Sequence, residues 1–214
     1  ATGELGGKGA WLDRLLAAGF RVPTTTVLTT ALYELVVRST GLHELVAELV
    51  TGRPDPDEAV TERERVERAF LEAPLPPEAE VALIEAFEAT GHPGGQVAVR
   101  SSATVEDMEG TSFAGQYQSF LGVDRDGFER AVRLVWASLW HPAPRAYRRF
   151  HGVDQSNIGM AVVVMDMIEA ERAGVAFTRD PGGDAENIRV EVVHGLGEQL
   201  VSGAVTPKVH LLPR

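Results

Sequence analysis

Residues 97–123, VAVRSSATVEDMEGTSFAGQYQSFLGV, hold the pattern that decides the fold. Alternating valines predict a strand over 97–100 that ends in Arg100. A second apolar run predicts a strand over 117–123. The loop between them includes residues 110–116, GTSFAGQ, which carry few bulky side chains. The stretch therefore predicts two antiparallel strands joined by a long loop, with one arginine where the first strand ends.

An arginine at a strand end is suited to holding a phosphate, because its planar fork donates two parallel hydrogen bonds from a rigid support. Ser101 and Ser102 offer hydroxyls beside Arg100. The small residues at 110–116 would let backbone amides approach a polyphosphate closely. Two alternatives remain open. The first is that Arg100 forms a salt bridge with Glu106 or Asp107 and binds no ligand. The second is that the loop is an ordinary hairpin turn.

The composition is ordinary for a globular protein, with 44% hydrophobic and 24% charged residues among 214. No apolar run reaches the ~20 residues that a membrane span needs, and the first residues lack the pattern of a signal peptide. The chain has no cysteine, which excludes disulfides and fits a reducing cytoplasm. Its net charge of −11 argues against a nucleic-acid partner. An anionic ligand would therefore need a few well-placed cations.

The order of predicted elements indicates an α+β protein. Residues 1–95 are expected to be a mostly helical part and 96–214 a mixed α/β part. Helices are predicted over 6–19, from about 31, and over 62–71, 77–90, 126–140 and 143–150; further strands are predicted at 158–168, 174–180, 187–193 and 207–212. The strands at 158–168 and 174–180 are expected to form a hairpin. The chain contains no Walker-type phosphate loop.

Two further segments are candidates for ligand binding. GGKGAWL at 6–12 places glycines and Lys8 before a helix, where free amides and the helix dipole favour an anion. An exposed turn without function is the alternative. The apolar strand that ends in Met167 and Ile168 would give a wall for a purine, with a plain core strand as the alternative. The six histidines show no metal-ligand spacing, so no residue is assigned to a metal.

Taken in order, these segments are similar to a known family. The chain runs through LGGKGAWLDRLLAAGFRVPTTTVLTT, the stretch at 97–123, VWASLW, GMAVVVMDMI, AGVAFTRDP and GLGEQLVSGAVTP. This series resembles the nucleotide-binding domain of the phosphoenolpyruvate synthase and pyruvate phosphate dikinase family, which includes rifampin phosphotransferase. The resemblance covers essentially the whole chain.

The resemblance implies an ATP-grasp fold, in which two lobes with mostly antiparallel sheet and flanking helices clamp ATP. In such cytoplasmic enzymes, ATP phosphorylates a histidine on a separate swivelling domain. That domain carries the phosphoryl group to an acceptor-binding domain of the same full-length protein. The acceptor is expected to be pyruvate, or alternatively an antibiotic hydroxyl. A non-catalytic nucleotide-binding module is a further alternative. No nucleic acid or membrane partner is expected.

The resemblance also implies roles for particular residues. Lys8 and Arg100 match the phosphate-binding cations and are the candidate catalytic residues. The candidate cofactor-binding residues are Ser101, the loop residues Thr111, Ser112, Gly115 and Gln116, and the adenine hinge Met167 and Ile168. Met165 stands where the family usually has glutamine. The residues that hold Mg²⁺ are expected beyond the end of this chain, which is expected to be truncated and inactive by itself.

Overall fold

The computed structural model describes residues 2–90, 95–105, 116–181 and 186–214. Its helices are α1 (Thr2–Ala17), α2 (Thr30–Ser39), α3 (Leu42–Thr51), α4 (Ala59–Glu72), α5 (Pro77–Thr90), α6 (Arg125–Ser138), α7 (Pro142–Phe150) and α8 (Glu198–Val201). Its strands are β1 (Thr25–Leu28), β2 (Val97–Ala103), β3 (Ser119–Val123), β4 (Met160–Asp166), β5 (Arg172–Phe177), β6 (Asn187–His194) and β7 (Lys208–Pro213). The protein is α+β, with antiparallel sheets and flanking helices, as the sequence predicts.

The backbone divides into two compact units, Ala1–Met167 and Ile168–Arg214. The division expected from sequence, at residues 95 and 96, falls inside the first unit. The two predicted parts are joined by a long-range strand pair. Strand β1, from the mostly helical part, pairs with β4, from the mixed part, with Thr25 opposite Met165.

The sheet of the first unit has the strand order β1-β4-β2-β3, and every neighbouring pair is antiparallel. Strand β4 lies between β1 and β2, and its residues from Met160 to Val164 are at most 1% exposed. A strand buried on both faces reads as a continuous apolar run, which is why MAVVV gave such a clear strand signal. The predicted pairing of the strands around the loop is confirmed, because β2 and β3 are antiparallel neighbours.

One face of this sheet forms the hydrophobic core. Val99, Val162 and Val164 are fully buried and belong to one apolar cluster with Trp136 and Phe70. Helices α2, α5 and α6 cover this face. Burial of each such side chain contributes about 1.5–3 kcal/mol. Helix α1 covers the opposite face instead, so the two faces of the sheet have different roles.

Arginines of α7 hold the end of α3. The Arg145 guanidinium donates to the carbonyls of Leu49 at 3.1 Å and Gly52 at 2.9 Å, and Arg149 donates to those of Val50 and Gly52, both at 2.7 Å. Carbonyls at a helix C-terminus lack partners within the helix, and a cation there also matches the helix dipole. Burial lowers the pKa of Arg145 to about 10, so the side chain remains charged at neutral pH.

The second unit is a three-stranded antiparallel sheet with the order β5-β6-β7. The predicted hairpin between 158–168 and 174–180 is therefore wrong, because β5 pairs with β6, with Arg172 opposite His194. Both edges of β4 are already paired with β1 and β2, so no edge is left for β5. Among the helices in the described residues, none has the length and apolar character that a bilayer crossing requires.

Candidate functional site

Helix α1 is broken at Gly6, within the glycine-rich segment predicted to bind an anion. Gly6 has φ of 67° and ψ of −179°, a conformation that is essentially restricted to glycine. A Cβ atom at this position would lie 1.9 Å from the carbonyl oxygen of Ser102 on β2. The backbone of α1 therefore approaches β2 with no side chain in between, and the glycine is required for both reasons.

The hydroxyl of Ser102 joins this segment to the sheet. Its Oγ accepts a hydrogen bond from the N–H of Gly9 at 3.1 Å and donates one to the carbonyl of Leu5 at 2.8 Å. These two backbone groups would pair with each other in an uninterrupted helix, so the hydroxyl is inserted into the helical ladder. Nearer the N-terminus, the hydroxyl of Thr30 donates to the carbonyl of Gly3 at 2.9 Å.

Arg100 lies on the same face of the sheet as this segment. Side chains alternate along a strand, so Arg100 and Ser102 share one face of β2, while Val99 and Ser101 share the other. Arg100 is exposed, although every other residue of β2 is buried. Lys8 is exposed as well. The fold thus brings Lys8 and Arg100 to one side of the sheet. Lys8 lies on α1 and Arg100 on β2, and the hydroxyl of Ser102 joins these two elements.

Ser101 is placed differently from Arg100. It is 2% exposed and its side chain lies on the core face of the sheet. The structure therefore does not bring its hydroxyl to the side on which Arg100 and Lys8 lie. The hydroxyl that contacts the glycine segment belongs to Ser102, which is not among the site residues predicted from the sequence. The distinction depends on strand phase, and the adjacent serines alone do not reveal it.

The predicted adenine hinge lies where the first unit ends. Met167 is the last residue of that unit, and its N–H donates to the carbonyl of Gln96 at 3.2 Å. Ile168 is the first residue of the second unit and is 52% exposed. Met165 is half-buried and pairs with Ala98, so it lies on the face of the sheet that also carries Arg100.

The predicted phosphate loop is described only at its end. Thr111, Ser112 and Gly115 lie outside the described residues, and Gln116 is half-buried in a turn before β3. The next residue, Tyr117, is held by a hydrogen bond. The hydroxyl of Tyr117 accepts from Arg148 at 3.2 Å, which attaches this end of the loop to α7.

Arg148 is fully buried and satisfies three groups. Besides Tyr117, it donates to the carbonyl of Leu139 at 2.7 Å and to Oε1 of Gln155 at 3.2 Å. Burial lowers the pKa of Arg148, because desolvation disfavours its charge. Sequence reasoning missed this role, although the polar face of PRAYRRF carries arginines at helical spacing. The sequence alone does not distinguish a buried arginine from a solvent-exposed one, because the difference lies in the partners that the fold supplies.

His141 is a second buried titratable group. Its Nε2 lies 3.2 Å from Oε1 of Glu67, without the geometry of a hydrogen bond. The pKa of His141 is lowered to about 4, chiefly by burial; the charge of Glu67 opposes this shift and that of Arg63 adds to it. His141 is therefore neutral at pH 7. In the described ranges, no group of histidine, aspartate and glutamate side chains is arranged to hold a metal ion.

The chain also matches a known family model. Residues 2–213 match the model of the pyruvate phosphate dikinase AMP/ATP-binding domain. The chain belongs to this family. The resemblance drawn from the sequence motifs is thereby confirmed, and the glycine segment and β2 lie within an AMP/ATP-binding domain.

Curated relatives agree with this membership. The chain is 38% identical to the phosphoenolpyruvate synthase of Aeropyrum pernix, over 95% of this chain and 26% of the relative. It is 36% identical to a probable phosphoenolpyruvate synthase of Methanocaldococcus jannaschii, over 97% of this chain and 18% of the relative. It is 39% identical to the rifampicin phosphotransferase of Streptomyces sviceus, over 96% of this chain and 24% of the relative. The chain thus spans about a quarter or less of these proteins.

Proposed function

We propose that this chain is the ATP-binding part of a phosphoenolpyruvate synthase-like phosphotransferase. The full-length protein would transfer a phosphoryl group from ATP to a histidine on a separate swivelling domain, with pyruvate as the final acceptor. One observation carries the proposal. The Gly6-broken segment that presents Lys8 is joined by the hydroxyl of Ser102 to the strand that presents Arg100. The family match and the synthase relatives support it.

The chemistry suits the two cations. Lys8 supplies a point charge near the start of a helix, where amides and the helix dipole also favour phosphate. Arg100 supplies a planar fork on a rigid strand. Phosphoryl transfer depends mainly on positioning and charge neutralisation. With a net charge of −11, the protein attracts ATP only where cations are concentrated.

The remaining contacts of the nucleotide form part of the same proposal. Thr111, Ser112, Gly115 and Gln116 would cover the phosphates with backbone amides. Because the N–H of Met167 is bonded to Gln96, adenine would be read by the carbonyl of Met167 and the backbone of Ile168. Ser102 replaces Ser101 as the serine hydroxyl of the site, and Ser101 would contribute through its backbone. The proposal includes an ATP-grasp fold, which the antiparallel sheet in each of the two units supports.

Mg²⁺ is expected to accompany ATP. The described residues contain no group of three or more histidine, aspartate and glutamate side chains that could hold it, and its protein ligands are assigned to other parts of a longer protein. The carrier histidine, the swivelling domain and the acceptor-binding domain are also assigned to other parts of a longer, cytoplasmic protein. The chain covers only 26% of the Aeropyrum pernix synthase, which leaves room for such domains in that relative.

Two other functions are distinguished by experiment. An antibiotic phosphotransferase of the rifampin type is favoured by the 39% identity to the Streptomyces sviceus protein. A nucleotide-binding module without catalysis would be compatible with Met165, which replaces a glutamine contact expected from the family. With the full-length protein, ATP consumption that requires pyruvate supports the synthase, consumption that requires rifampicin supports the antibiotic enzyme, and binding without consumption supports the module.

Calorimetric titration of the chain with Mg·ATP tests the nucleotide site directly. The variants are Lys8→Ala and Arg100→Ala. We expect each to weaken binding by about 1.5–3 kcal/mol, the usual contribution of a charge-assisted hydrogen bond. Arg65→Ala is the control, because this exposed arginine pairs with Glu48 between α3 and α4. If Arg65→Ala weakens binding as much as the other two, the phosphates do not bind where we propose.

A further inference from the structure

The hydroxyl of Ser102 has a position that suggests a role beyond the fold. Its two hydrogen bonds reach Leu5 and Gly9, one on each side of Lys8. We propose that Ser102 is a positioning residue that sets the direction in which Lys8 meets the phosphates of ATP. The inference deepens the proposed function and rests on it.

The geometry around Lys8 supports this role. Gly6, Gly7, Gly9 and Ala10 are all buried, whereas Lys8 between them is exposed. The chain enters Lys8 through the glycine-only conformation of Gly6 and leaves it at an N–H held by Ser102. With both ends of this short segment fixed, the Cα–Cβ bond of Lys8 has one direction relative to β2. The segment presents a single cation from an otherwise buried turn.

The same strand fixes Arg100. Ser102 and Arg100 are two residues apart on one face of β2. Both positions are paired with β4, and Arg100 is also paired with β3. A paired central strand deforms little, so the spacing between the Lys8 segment and Arg100 is set before a ligand arrives. Such preorganisation improves affinity because less order must be imposed on binding. It acts only on the part of the ligand that meets the cations, which is the phosphate chain.

A purely structural role for Ser102 makes a different prediction. Loss of the hydroxyl would then lower stability, since it leaves a buried N–H and a partly buried carbonyl without their partner. The loss of stability would not depend on Lys8, and any effect on binding would be shared by all ligands of the site. Positioning instead predicts an effect on binding that disappears when Lys8 is removed.

The experiment is a double-mutant cycle with ATP and adenosine as probes. The variants of the 214-residue chain are Ser102→Ala, Lys8→Ala and the double variant. We expect Ser102→Ala to weaken ATP about tenfold, the size of one hydrogen-bond contribution, and to leave adenosine unchanged. In the Lys8→Ala background, Ser102→Ala should cause no further loss. Thr90→Val is the control, because its buried hydroxyl also bonds a backbone carbonyl, that of Ala86, but on α5.

The outcomes separate this inference from the proposed function. If the wild-type chain binds ATP and Ser102→Ala binds it equally well, or loses affinity to the same extent without Lys8, positioning is disproved while the ATP site stands. If the wild-type chain does not bind ATP, the proposed function fails and the inference fails with it. Circular dichroism checks folding. Should Ser102→Ala not fold, Ser102→Cys keeps the side-chain size, weakens both hydrogen bonds and is held to the same criteria.

Discussion

Replacing Gly6 by alanine should destabilise the protein through two separable effects. The first is conformational, because φ of 67° with ψ of −179° costs a residue with a Cβ about 1–3 kcal/mol. The second is steric, because the new Cβ would lie 1.9 Å from the carbonyl oxygen of Ser102, and neither backbone yields without breaking its own contacts. Overpacking of this kind costs another 1–3 kcal/mol or so. The free energy of unfolding should therefore fall by about 2–6 kcal/mol.

Gly19→Ala is the matched control for the steric part. Gly19 follows the same helix, has φ of +81° and has open space around its would-be Cβ, so only the conformational cost applies. Urea denaturation of the two variants should show that Gly6→Ala loses about 2 kcal/mol more than Gly19→Ala. ATP titration should show weaker binding for Gly6→Ala alone. Equal destabilisation of the two variants would refute the close approach of α1 to β2 and, with it, the description of the site.

Two further predictions concern buried polar side chains. Burial lowers the pKa of His141 from 6.5 to about 4, so the unfolded chain takes up a proton on this side chain at a higher pH than the folded chain. Stability should therefore fall as the pH drops below about 6.5. In urea denaturation between pH 7 and pH 5, the wild type should lose about 2 kcal/mol more of its free energy of unfolding than His141→Gln. Equal losses in the two proteins would contradict a buried neutral histidine. Arg148→Met leaves three buried groups, including the hydroxyl of Tyr117, without their donor, and it should destabilise the fold by about 3 kcal/mol. Thermal denaturation measures this effect against Arg65→Ala, whose exposed pair with Glu48 should contribute less than about 1 kcal/mol. A similar change in melting temperature for both variants would mean that Arg148 is not buried as described.

Local signals in the sequence were sufficient for many of the elements. Helix α5 runs from Pro77 to Thr90 as predicted, since proline starts a helix well and the apolar spacing continues to its end. The 62–71 helix was also found, and α4 extends it by a few residues at its start. Helix α3 was not predicted separately, although Gly41 and Gly52 bound it, and the arginines of α7 that hold its end lie far along the chain.

Non-local pairing explains what the sequence did not predict. Adjacent strands in the chain usually pair, so a hairpin between β4 and β5 was a reasonable expectation. It failed because β1 and β2 occupy both edges of β4. The site shows the same limit. Lys8 and Arg100 could be chosen by their chemistry and by family resemblance, but the choice between Ser101 and Ser102 requires the phase of β2, which the sequence does not state.

The position of β4 between β1 and β2 has a consequence for biosynthesis. Strand β1 has its sheet partner in β4, so β1 leaves the ribosome long before the strand with which it pairs. The bond from Ser102 to Leu5 likewise joins residues 97 positions apart. Closing such long loops slows folding, because chain entropy is lost before the contacts form. Lys8 is synthesised well before β2 and β4, yet it reaches its final position only after both strands have emerged and paired.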